Sequence, residues 1–564
     1  MGSFDDDSTG QLMLKSQPWY RELSRYHWFV LVVAALGWMF DTMDQQLFNL
    51  ARAPAIADLR EPPPGEDLAV TKAKVAEFGG YATTIFMIGW ATGGIAFGIL
   101  GDRIGRARTM ALTVLVYSLF TGLSALSVSI WDFAAYRFLT GLGVGGEFAV
   151  GVALVAEVMP DRARPHALGW LQASSAVGNM TAALISLGLG GLEEIGAISR
   201  AWRYMFLLGI LPALLVVVIM FRLKEPERWR ATRSHAGPQQ KLGSIAELFG
   251  TERWRRHAIA GMLLAFAGVV GLWGIGFFSF DLTRSVFRKP LEKGAIERGE
   301  AARDQAFIRL AIEHPTELPE VARRIQPNDL LDRDSGALYR AALSLWRRNE
   351  SISPRSVLGV LDAEGQSPAE HQRRLAILVG PTGDVPTLHA EADRIASRVK
   401  GIDGRLTFWA GITSLLLNFG AFFGVYSFSV VTQYIGRKPT FALALALALF
   451  STSFTFWFLT SYGDVFWMIP IMGFFQISLF GGYAIYFPEL FPTRLRSTGT
   501  SFCYNVGRYV AALGPSFLGL LTSKVFVEFP EPMRYAGVVM CSCFLVGFLA
   551  LPFLPETIGQ PLPE

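Results

Sequence analysis

Long apolar segments recur along nearly the whole chain and constrain its fold more than any other feature. About twelve can be marked, each near the 20 residues that a helix needs to cross a bilayer core of roughly 30 Å. They lie near 28–50, 79–100, 109–129, 131–158, 167–191, 203–222, 258–280, 406–431, 440–461, 466–488, 498–522 and 535–554. Because only 17% of the 564 residues are charged, we predict an all-α membrane protein with twelve transmembrane helices.

Lysine and arginine are concentrated in the loops that follow every second predicted span. The loop 460–466, on the opposite side, contains neither. Short cytoplasmic loops are enriched in these residues, which predicts a multi-pass protein of the plasma or inner cell membrane with both termini in the cytoplasm. The basic loop residues are Arg103, Arg106, Arg108, Arg162, Arg164, Arg222, Lys224, Arg228, Arg230, Arg233, Arg253, Arg255, Arg256, Arg437, Lys438, Arg494 and Arg496.

The apolar segments form two sets of six, and polar stretches divide the chain further. The predicted divisions are a cytoplasmic tail 1–27, a six-helix half 28–222, a cytoplasmic linker 223–257, a seventh span 258–283, an extracytoplasmic insert 284–404, spans eight to twelve at 405–554, and a cytoplasmic tail 555–564. The helical spacing of apolar residues in "GALYRAALSLW" predicts a helical insert. The insert is either a cap that binds an unknown partner or shapes the access route, or a tolerated loop insertion.

A dense charge cluster, "GDRIGRAR" at 101–108, follows the second span and has an echo in the second half. When "GILGDRIGRAR" is aligned with "SVVTQYIGRKP", Gly105 matches Gly436 and Arg106 matches Arg437. Internal repeats of this kind are typical of secondary transporters. The echo therefore predicts two pseudo-symmetric six-helix halves.

Five motifs in sequence order resemble the major facilitator superfamily, in particular its metabolite:proton symporter and sugar-porter-like branch. "GILGDRIGRAR" matches the family's loop motif G-x-x-x-D-R-x-G-R-x-R in full. "RFLTGLGVGGEFAVGVALVAEVMPDRAR", "AWRYMFLLGILPALL" with "KEPERW", "YFPELFPTRLRSTGTS" and "LPETIGQPLPE" resemble the fourth span, the sixth span, the tenth-span exit and the closing motif. The resemblance implies the major facilitator fold, whose two halves rock about a central site.

The resemblance also implies a conformational latch at the cytoplasmic ends of the helices. In it, Asp102 pairs with an arginine or with the N-terminal dipole of a helix. The alternative is that these charges only fix the topology. The predicted latch residues are Gly98, Asp102, Arg103, Gly105, Arg106, Glu157, Arg162, Arg437, Glu489 and Arg494.

Asp41 and Asp44 lie three residues apart in the first span and therefore share a helix face. Two carboxylates in a medium of low dielectric cannot both ionise cheaply, which suits a proton carrier. The pair resembles the D-G-[YF]-D element of proton-coupled organic-acid symporters, with Thr42 in place of the glycine. Glu147, near the middle of span four, is the third predicted proton-coupling residue. The alternative for Asp44 is a capping or pairing role near the outer mouth.

Arg508 lies about ten residues into the eleventh span, near mid-membrane by the helical rise per residue. Its planar guanidinium suits a carboxylate, although a structural pair with Glu147 or Asp41 is the alternative. The predicted substrate-binding residues are Arg508, Arg137, Gln172, Asn418, Gln476 and Asn505, and weaker candidates are Gln45, Gln46, Asn179, Trp273, Tyr426 and Tyr504. A single polar residue in a membrane helix more often bonds a neighbouring helix than a ligand.

These features predict a secondary active transporter that moves a small organic solute by alternating access, as proton-coupled symport of a carboxylate. A sugar or polyol transporter, either symporter or facilitator, is the alternative that "PELFPTRLR" and "LPETIG" favour. A transporter-like sensor or receptor that signals through the insert is the alternative from another class. The expected partners are the solute, protons and the lipid bilayer.

Other function classes are disfavoured by the same sequence. No nucleophile with its base is recognisable, so an enzyme is not predicted. No histidine pair or cysteine cluster has metal-ligand spacing, and "GLGVGG" lacks the lysine of a nucleotide-binding loop, so no metal or cofactor is expected. The net charge of +4 gives no indication of a nucleic-acid partner.

Overall fold

The computed structural model describes residues 18–60, 68–235, 242–379 and 387–564. The first 17 residues of the predicted N-terminal tail lie outside these ranges. Within them the secondary structure is helical and contains no strand, and eleven helices are long and apolar enough to cross a membrane. The prediction of an all-α membrane protein is therefore confirmed.

The first half contains the six predicted spans. The fourth begins at a capping box, in which the Ser129 side chain accepts a hydrogen bond from the Asp132 amide; such a cap satisfies amides that have no partner in the first turn. The helices are α1 (Arg25–Leu59), α2 (Leu68–Ile104), α3 (Arg106–Ser124), α4 (Ile130–Val158), α5 (Arg164–Glu194), and a sixth span divided into α6 (Ala201–Leu208) and α7 (Ala213–Arg222).

The linker and the seventh span follow. α10 ends at Gly274, and a short 3₁₀ turn, Gly276–Phe278, separates it from the next helix. The helices of the linker, the seventh span and the segment after it are α8 (Glu227–His235), α9 (Ile245–Gly250), α10 (Glu252–Gly274), α11 (Ser279–Glu297), α12 (Glu300–Glu313), α13 (Leu318–Val321), α14 (Arg333–Arg347), α15 (Pro354–Ala363) and α16 (Pro368–Val379).

Two of the remaining predicted spans, the eleventh and the twelfth, are each divided into two helices. The predicted eleventh span, 498–522, is not a single helix, because Pro515 has no amide hydrogen with which to extend α20 into α21; a π-helical turn, Leu521–Val525, follows. The helices are α17 (Leu388–Ile435), α18 (Arg437–Phe458), α19 (Tyr462–Leu490), α20 (Arg496–Ala511), α21 (Gly514–Leu520), α22 (Pro532–Met540) and α23 (Cys543–Ala550).

The chain folds as two compact units. The larger, here called the membrane unit, contains the described residues up to Leu59 and those within Gly79–Leu282 and Ile412–Glu564. The smaller contains Arg60–Phe78 and Thr283–Gly411. The predicted insert 284–404 lies within the smaller unit, which also includes a segment before the second span that the sequence analysis did not assign to it.

The smaller unit has a hydrophobic core of its own, which includes Phe307, Leu338 and Ile395. Beside that core, the fully buried Asp304 accepts hydrogen bonds from Arg394 at 3.0 Å and from Arg398 at 2.8 Å. A buried carboxylate is tolerated when it is paired and hydrogen-bonded in this way. The charged residues that dominate the insert sequence thus include an internal structural network.

In the membrane unit, glycines allow α2 and α4 to pack with their backbones in contact. A Cβ atom at Gly93 would lie 2.0 Å from the Leu142 carbonyl oxygen, and one at Gly145 would lie 2.0 Å from the Trp90 carbonyl oxygen. Small residues permit such close packing of membrane helices. Trp90, whose carbonyl oxygen lies at this contact, is buried.

Candidate functional site

A cavity lies in the membrane unit, between α1, α2 and α5 of the first half and α10, α17, α19 and α20 of the second. Its aromatic lining consists of Trp38, Trp90, Trp273, Phe480 and Tyr504. Its polar lining consists of Thr42, Gln45, Gln46, Asn49, Gln172, Ser175, Asn179, Asn418 and Arg508. Apolar walls with a few convergent polar groups are typical of small-molecule sites.

Among the described residues that line the cavity, Arg508 is the only cation. Its guanidinium carbon lies 4.0 Å from the Trp90 ring centroid and 4.2 Å from that of Tyr504, so the group is held between two rings. Nη1 donates to the Tyr504 carbonyl oxygen at 2.8 Å and to Asn505 Oδ1 at 3.0 Å. Nε is buried and has no hydrogen-bond partner among the described residues. This unused donor on a buried cation suits an anionic ligand.

Asp44 and Arg137 form a buried pair within the first half. Asp44 accepts a hydrogen bond from Thr121 at 2.7 Å, and its other oxygen lies 3.8 Å from Arg137 Nη1. The Arg137 guanidinium also packs 4.7 Å from the Phe206 ring centroid. Arg137 does not line the cavity, which differs from the prediction that it contacts substrate; the surrounding rings and the carboxylate enclose it.

Asp41 and Glu147 are both buried, and Asp41 interacts electrostatically with Glu147 and Arg508. Among the described residues, neither carboxylate oxygen of Asp41 has a hydrogen-bond partner. Glu147 Oε2 accepts a hydrogen bond from Thr113 at 2.8 Å. Gly37, one turn before Asp41 on α1, makes room for Glu147, since a Cβ there would lie 2.3 Å from Glu147 Oε1. Asp41 and Glu147 are thus two buried carboxyl groups on neighbouring helices, and a bound proton would neutralise the charge of either one.

Amides from both halves meet at the cavity. Gln172 and Asn418 line it, as predicted residues of the site, and Asn179 donates to Asn418 Oδ1 at 2.9 Å across the two halves. Gln46 makes a second such contact, with Ser414 at 3.4 Å. Both bonds join α1 or α5 to α17.

Three other predicted candidates do not line the cavity. Gln476 donates to the Gly271 carbonyl oxygen at 3.0 Å and so supports the end of α10. Asn505 lies under Arg508 and contacts the first half, as described below. Tyr426 packs instead against Trp170, with ring centroids 5.4 Å apart. Each side chain is directed by the rotation of its helix, which a span prediction does not contain.

Asp102 joins the two halves at the side of the membrane unit that carries the basic loops, here called the basic face. It accepts hydrogen bonds from the amides of Ser497 at 3.2 Å and Thr498 at 2.9 Å, and from the Thr498 hydroxyl at 2.6 Å. These groups form the first turn of α20, where an anion interacts favourably with unpaired amides and the helix dipole.

Glu157 makes a second connection on the basic face. It accepts hydrogen bonds from Arg106 at 2.8 Å and from Arg496 at 2.9 Å, so one carboxylate holds an arginine from each half. Arg106 also donates to the Thr493 carbonyl oxygen at 2.7 Å. All three charged side chains are buried.

The second half repeats part of this arrangement. Arg437 donates to Glu489 at 2.9 Å, as Arg106 does to Glu157. The position of Asp102 is taken by Gln433, which donates to the His166 ring at 3.1 Å. The aligned loop motifs thus occupy equivalent places. The contact that the Asp102 carboxylate makes with the other half has no carboxylate equivalent at Gln433.

Two capping glutamates were missed by the sequence analysis. Glu225 accepts a hydrogen bond from the Arg106 amide at 2.7 Å, and Glu556 accepts one from the Arg437 amide at 2.9 Å. The preceding glycines have φ of 117° and 95°, a conformation that favours glycine. Both acids lie in motifs that resemble the family, "KEPERW" and "LPETIG", but neither motif marks its acid as a helix cap.

The other predicted latch residues have local partners. Arg103 donates to the Leu242 carbonyl oxygen at 3.3 Å, Arg162 pairs with Glu22 at 2.9 Å, and Arg494 pairs with Glu247 at 2.8 Å. These three arginines bind the linker or the N-terminal segment rather than the opposite latch. Gly98 and Gly105 serve close packing and the helix start.

Comparisons with known proteins agree with this architecture. The Major Facilitator Superfamily profile matches residues 29–293. A putative metabolite transport protein of Haemophilus influenzae is 24% identical over 96% of this chain and 99% of its own length. Over 44% of this chain and 53% of its own length, the probable 4-methylmuconolactone transporter of Cupriavidus pinatubonensis is 33% identical.

Further comparisons extend over part of the chain or concern the fold alone. The niacin transporter NiaP of Acinetobacter baylyi is 32% identical over 39% of this chain. The matched part is 46% of the length of that relative. The structure of the proton:xylose symporter XylE bound to 6-bromo-6-deoxy-D-glucose covers 95% of this chain and 98% of its own, with a TM-score of 0.56 and 16% identity. With two halves of membrane-spanning helices, the paired loop motifs and these similarities, the chain resembles the transporters of the major facilitator superfamily, in sequence over residues 29–293 and in fold over nearly its whole length, and its named relatives are transporters rather than enzymes.

Proposed function

We propose that this transporter is a proton-coupled symporter of a small planar carboxylate. The observation that carries the proposal is the buried Arg508 at the cavity, held between two aromatic rings with Nε unused. A guanidinium binds a carboxylate through parallel N–H groups, and the surrounding rings provide flat apolar walls for an unsaturated or aromatic body.

The names of several relatives support this solute class. They include a niacin transporter, a cis,cis-muconate transport protein and a 4-hydroxybenzoate transporter. Those three solutes are unsaturated or aromatic carboxylates. The similarity covers 46%, 45% and 48% of the length of these relatives. Their names therefore support the proposed solute class and do not establish it.

Asp41 supplies the coupling to protons in this proposal. While Asp41 is ionised, its charge competes with a solute anion for Arg508. A proton on Asp41 removes that competition, so the carboxylate binds with the proton already present. Glu147 and Asp44 are the second and third acids of the pathway, and Asp44 is held by Arg137. Each conformation is then stabilised by its own set of contacts, as a driven switch requires.

The orientation follows from the loops. In this proposal the basic face is the cytoplasmic side of a cell membrane, because short cytoplasmic loops are enriched in lysine and arginine. On this assignment the latch of Asp102, Arg106, Glu157 and Arg496 closes the cytoplasmic side. Solute and proton then bind from outside and leave inward after the latch opens.

One observation favours a sugar or polyol as the second candidate solute. Among the described residues, six amides line the cavity and can serve several hydroxyl groups at once: Gln45, Gln46, Asn49, Gln172, Asn179 and Asn418. The fold also resembles that of a proton:xylose symporter. In this reading Arg508 has a structural role.

Uptake into proteoliposomes that contain a pH-sensitive dye separates the two candidates. Benzoate, nicotinate, cis,cis-muconate, glucose and xylose are added in turn to the wild type, Asp41→Asn and Arg508→Gln. Arg233→Gln, on the exposed surface of α8, is the control for loss of an arginine. We expect internal acidification with at least one carboxylate, lost in the first two variants and kept in the control.

Uptake of a sugar without proton movement would contradict the proposal. If no acid moves protons while labelled sugar is taken up by Asp41→Asn as well as by wild type, carboxylate symport is wrong. The sugar facilitator then becomes the better account of the cavity.

A further inference from the structure

α2 of the first half and α20 of the second run antiparallel and touch at four levels spaced by three to four residues, here called the seam. The levels begin at the latch on the basic face and end at the cavity. They pair Asp102 with Ser497, Gly98 with Ser501, Gly94 with Asn505, and Trp90 with Arg508.

The middle levels are in tight contact. A Cβ atom at Gly98 would lie 2.5 Å from Ser501 Cβ, and one at Gly94 would lie 2.2 Å from Asn505 Nδ2. Ser501 donates its hydroxyl to the Gly94 carbonyl oxygen. α2 thus accommodates α20 only because it has no side chains at these positions.

The last level orients the anion-binding arginine. Asn505, which is lodged against Gly94, accepts Nη1 of Arg508 at 3.0 Å and donates to the Gly145 carbonyl oxygen at 3.4 Å. Trp90 covers the guanidinium at 4.0 Å. Arg508 belongs to the second half of the chain, yet two of the groups that hold it depend on the first half.

We propose that the seam makes the anion affinity of Arg508 depend on closure of the latch, with Trp90 and Gly94 as positioning residues. The proposal rests on the carboxylate-binding role of Arg508 proposed above. When the basic face opens, α2 and α20 separate, Trp90 leaves the guanidinium, and Asn505 loses its place against Gly94. The carboxylate is released because its binding group is no longer held in one orientation.

The helices are stiff enough to transmit this change. Twelve residues separate Trp90 from Asp102, which is roughly 18 Å along α2 at the α-helical rise. Close packing along the whole distance leaves no compressible gap between the levels. Opening at the latch and release at Arg508 are therefore one movement, and the solute binds more tightly from the side opposite the basic face.

Gly94→Ala tests the seam, and Gly80→Ala on the same helix is its matched control, because a Cβ at Gly80 meets nothing within 4 Å. Phenylglyoxal labelling of the purified, monodisperse protein is measured at Arg508 by mass spectrometry. We expect Arg508 to react several-fold faster in Gly94→Ala and at the wild-type rate in Gly80→Ala. The KM for benzoate or nicotinate should rise about tenfold in Gly94→Ala, as the loss of a buried cation–π contact implies, with Vmax changed far less.

Two further variants keep the test independent of local damage. Trp90→Phe should retain most of the affinity because it keeps a ring face, whereas Trp90→Leu should lose it. Asp102→Asn should also speed labelling of Arg508, although it lies at the far end of the seam. Unchanged labelling in both Gly94→Ala and Asp102→Asn overturns the proposal. If the wild type transports neither acid, the proposed function fails, while the labelling result still decides whether the seam holds Arg508.

Discussion

Asp41 and Asp44 lie on the same face of α1, yet among the described residues only Asp44 has a cation at ion-pair distance, Arg137 at 3.8 Å. Asp44 also accepts the Thr121 hydroxyl, whereas the oxygens of Asp41 have no hydrogen-bond partner in the described structure. A buried ion that loses its partner is strongly unfavourable. The two carboxylates are therefore expected to respond differently to neutralisation.

Asp44→Asn should destabilise the protein by about 3–5 kcal/mol, because it leaves Arg137 buried without its counter-charge. Asp44→Asn combined with Arg137→Gln should recover much of the loss. Asp41→Asn should leave stability unchanged or raise it, since it removes an unpaired buried acid. Thermal unfolding in detergent measures all three, and an Asp44→Asn variant as stable as the wild type would contradict the pairing.

Glu556 shows how a residue in an ordinary loop supports a membrane helix. Burial alone would raise the pKa of Glu556, but hydrogen bonds from the amides of Arg437, Lys438, Ile558 and Thr557 outweigh it, and the pKa lies below its ordinary value. The ionised carboxylate caps the first turn of α18, where amides have no helical partner. Glu225 has the same position at the start of α3.

Glu556→Gln should lower the stability of the protein at neutral pH by about 1 kcal/mol, because it weakens the cap of α18 and this is the usual contribution of a cap. A depressed folded-state pKa gives stability that is present above the unfolded pKa and is lost as the pH falls through the folded value. The difference from wild type should thus begin to shrink as the pH falls below the ordinary pKa of a glutamate, about 4.3, and should disappear only below the lower pKa of the folded state. Glu227→Gln, an exposed acid on α8, is the control, and an equal effect of both substitutions would refute the capping role.

Whether a charged residue lies in an apolar span or in a polar loop decides how easily the sequence reveals its role. Asp41, Asp102 and Arg508 lie in or beside apolar spans, where a charge is expensive and therefore conspicuous. Glu225 and Glu556 lie in polar loops, where an acid is ordinary, so nothing local marked them as caps. The break after α20 was missed because the stretch 509–522 remains apolar on both sides of Pro515.

On the basic face of the membrane unit, a few charges cross between the two halves. Glu157 binds Arg106 and Arg496, and Asp102 caps α20. Ser429 on α17 is also buried there, and a Cβ at Gly169 of the first half would lie 2.6 Å from its Cβ. Separation of the halves would expose this position.

Glu157→Gln should shift the population toward the state that is open on the basic face, because both arginines lose their shared counter-charge. A cysteine introduced by Ser429→Cys should then react several-fold faster with a maleimide. Glu22→Gln, which removes the partner of the half-exposed Arg162, should leave that rate unchanged. If Glu157→Gln also leaves it unchanged, the carboxylate does not control closure.

From the sequence alone came the membrane class, the two sets of spans, the paired loop motifs and the short list of charged candidates. These depend on segment length and on the expense of charge in lipid, both of which are local properties. The tertiary structure alone decided that Gln172 and Asn418 face the cavity while Gln476 and Arg137 do not. It also decided that Trp90 covers Arg508. Such convergence depends on the rotation of each helix and on packing between residues hundreds of positions apart, and no local pattern encodes either.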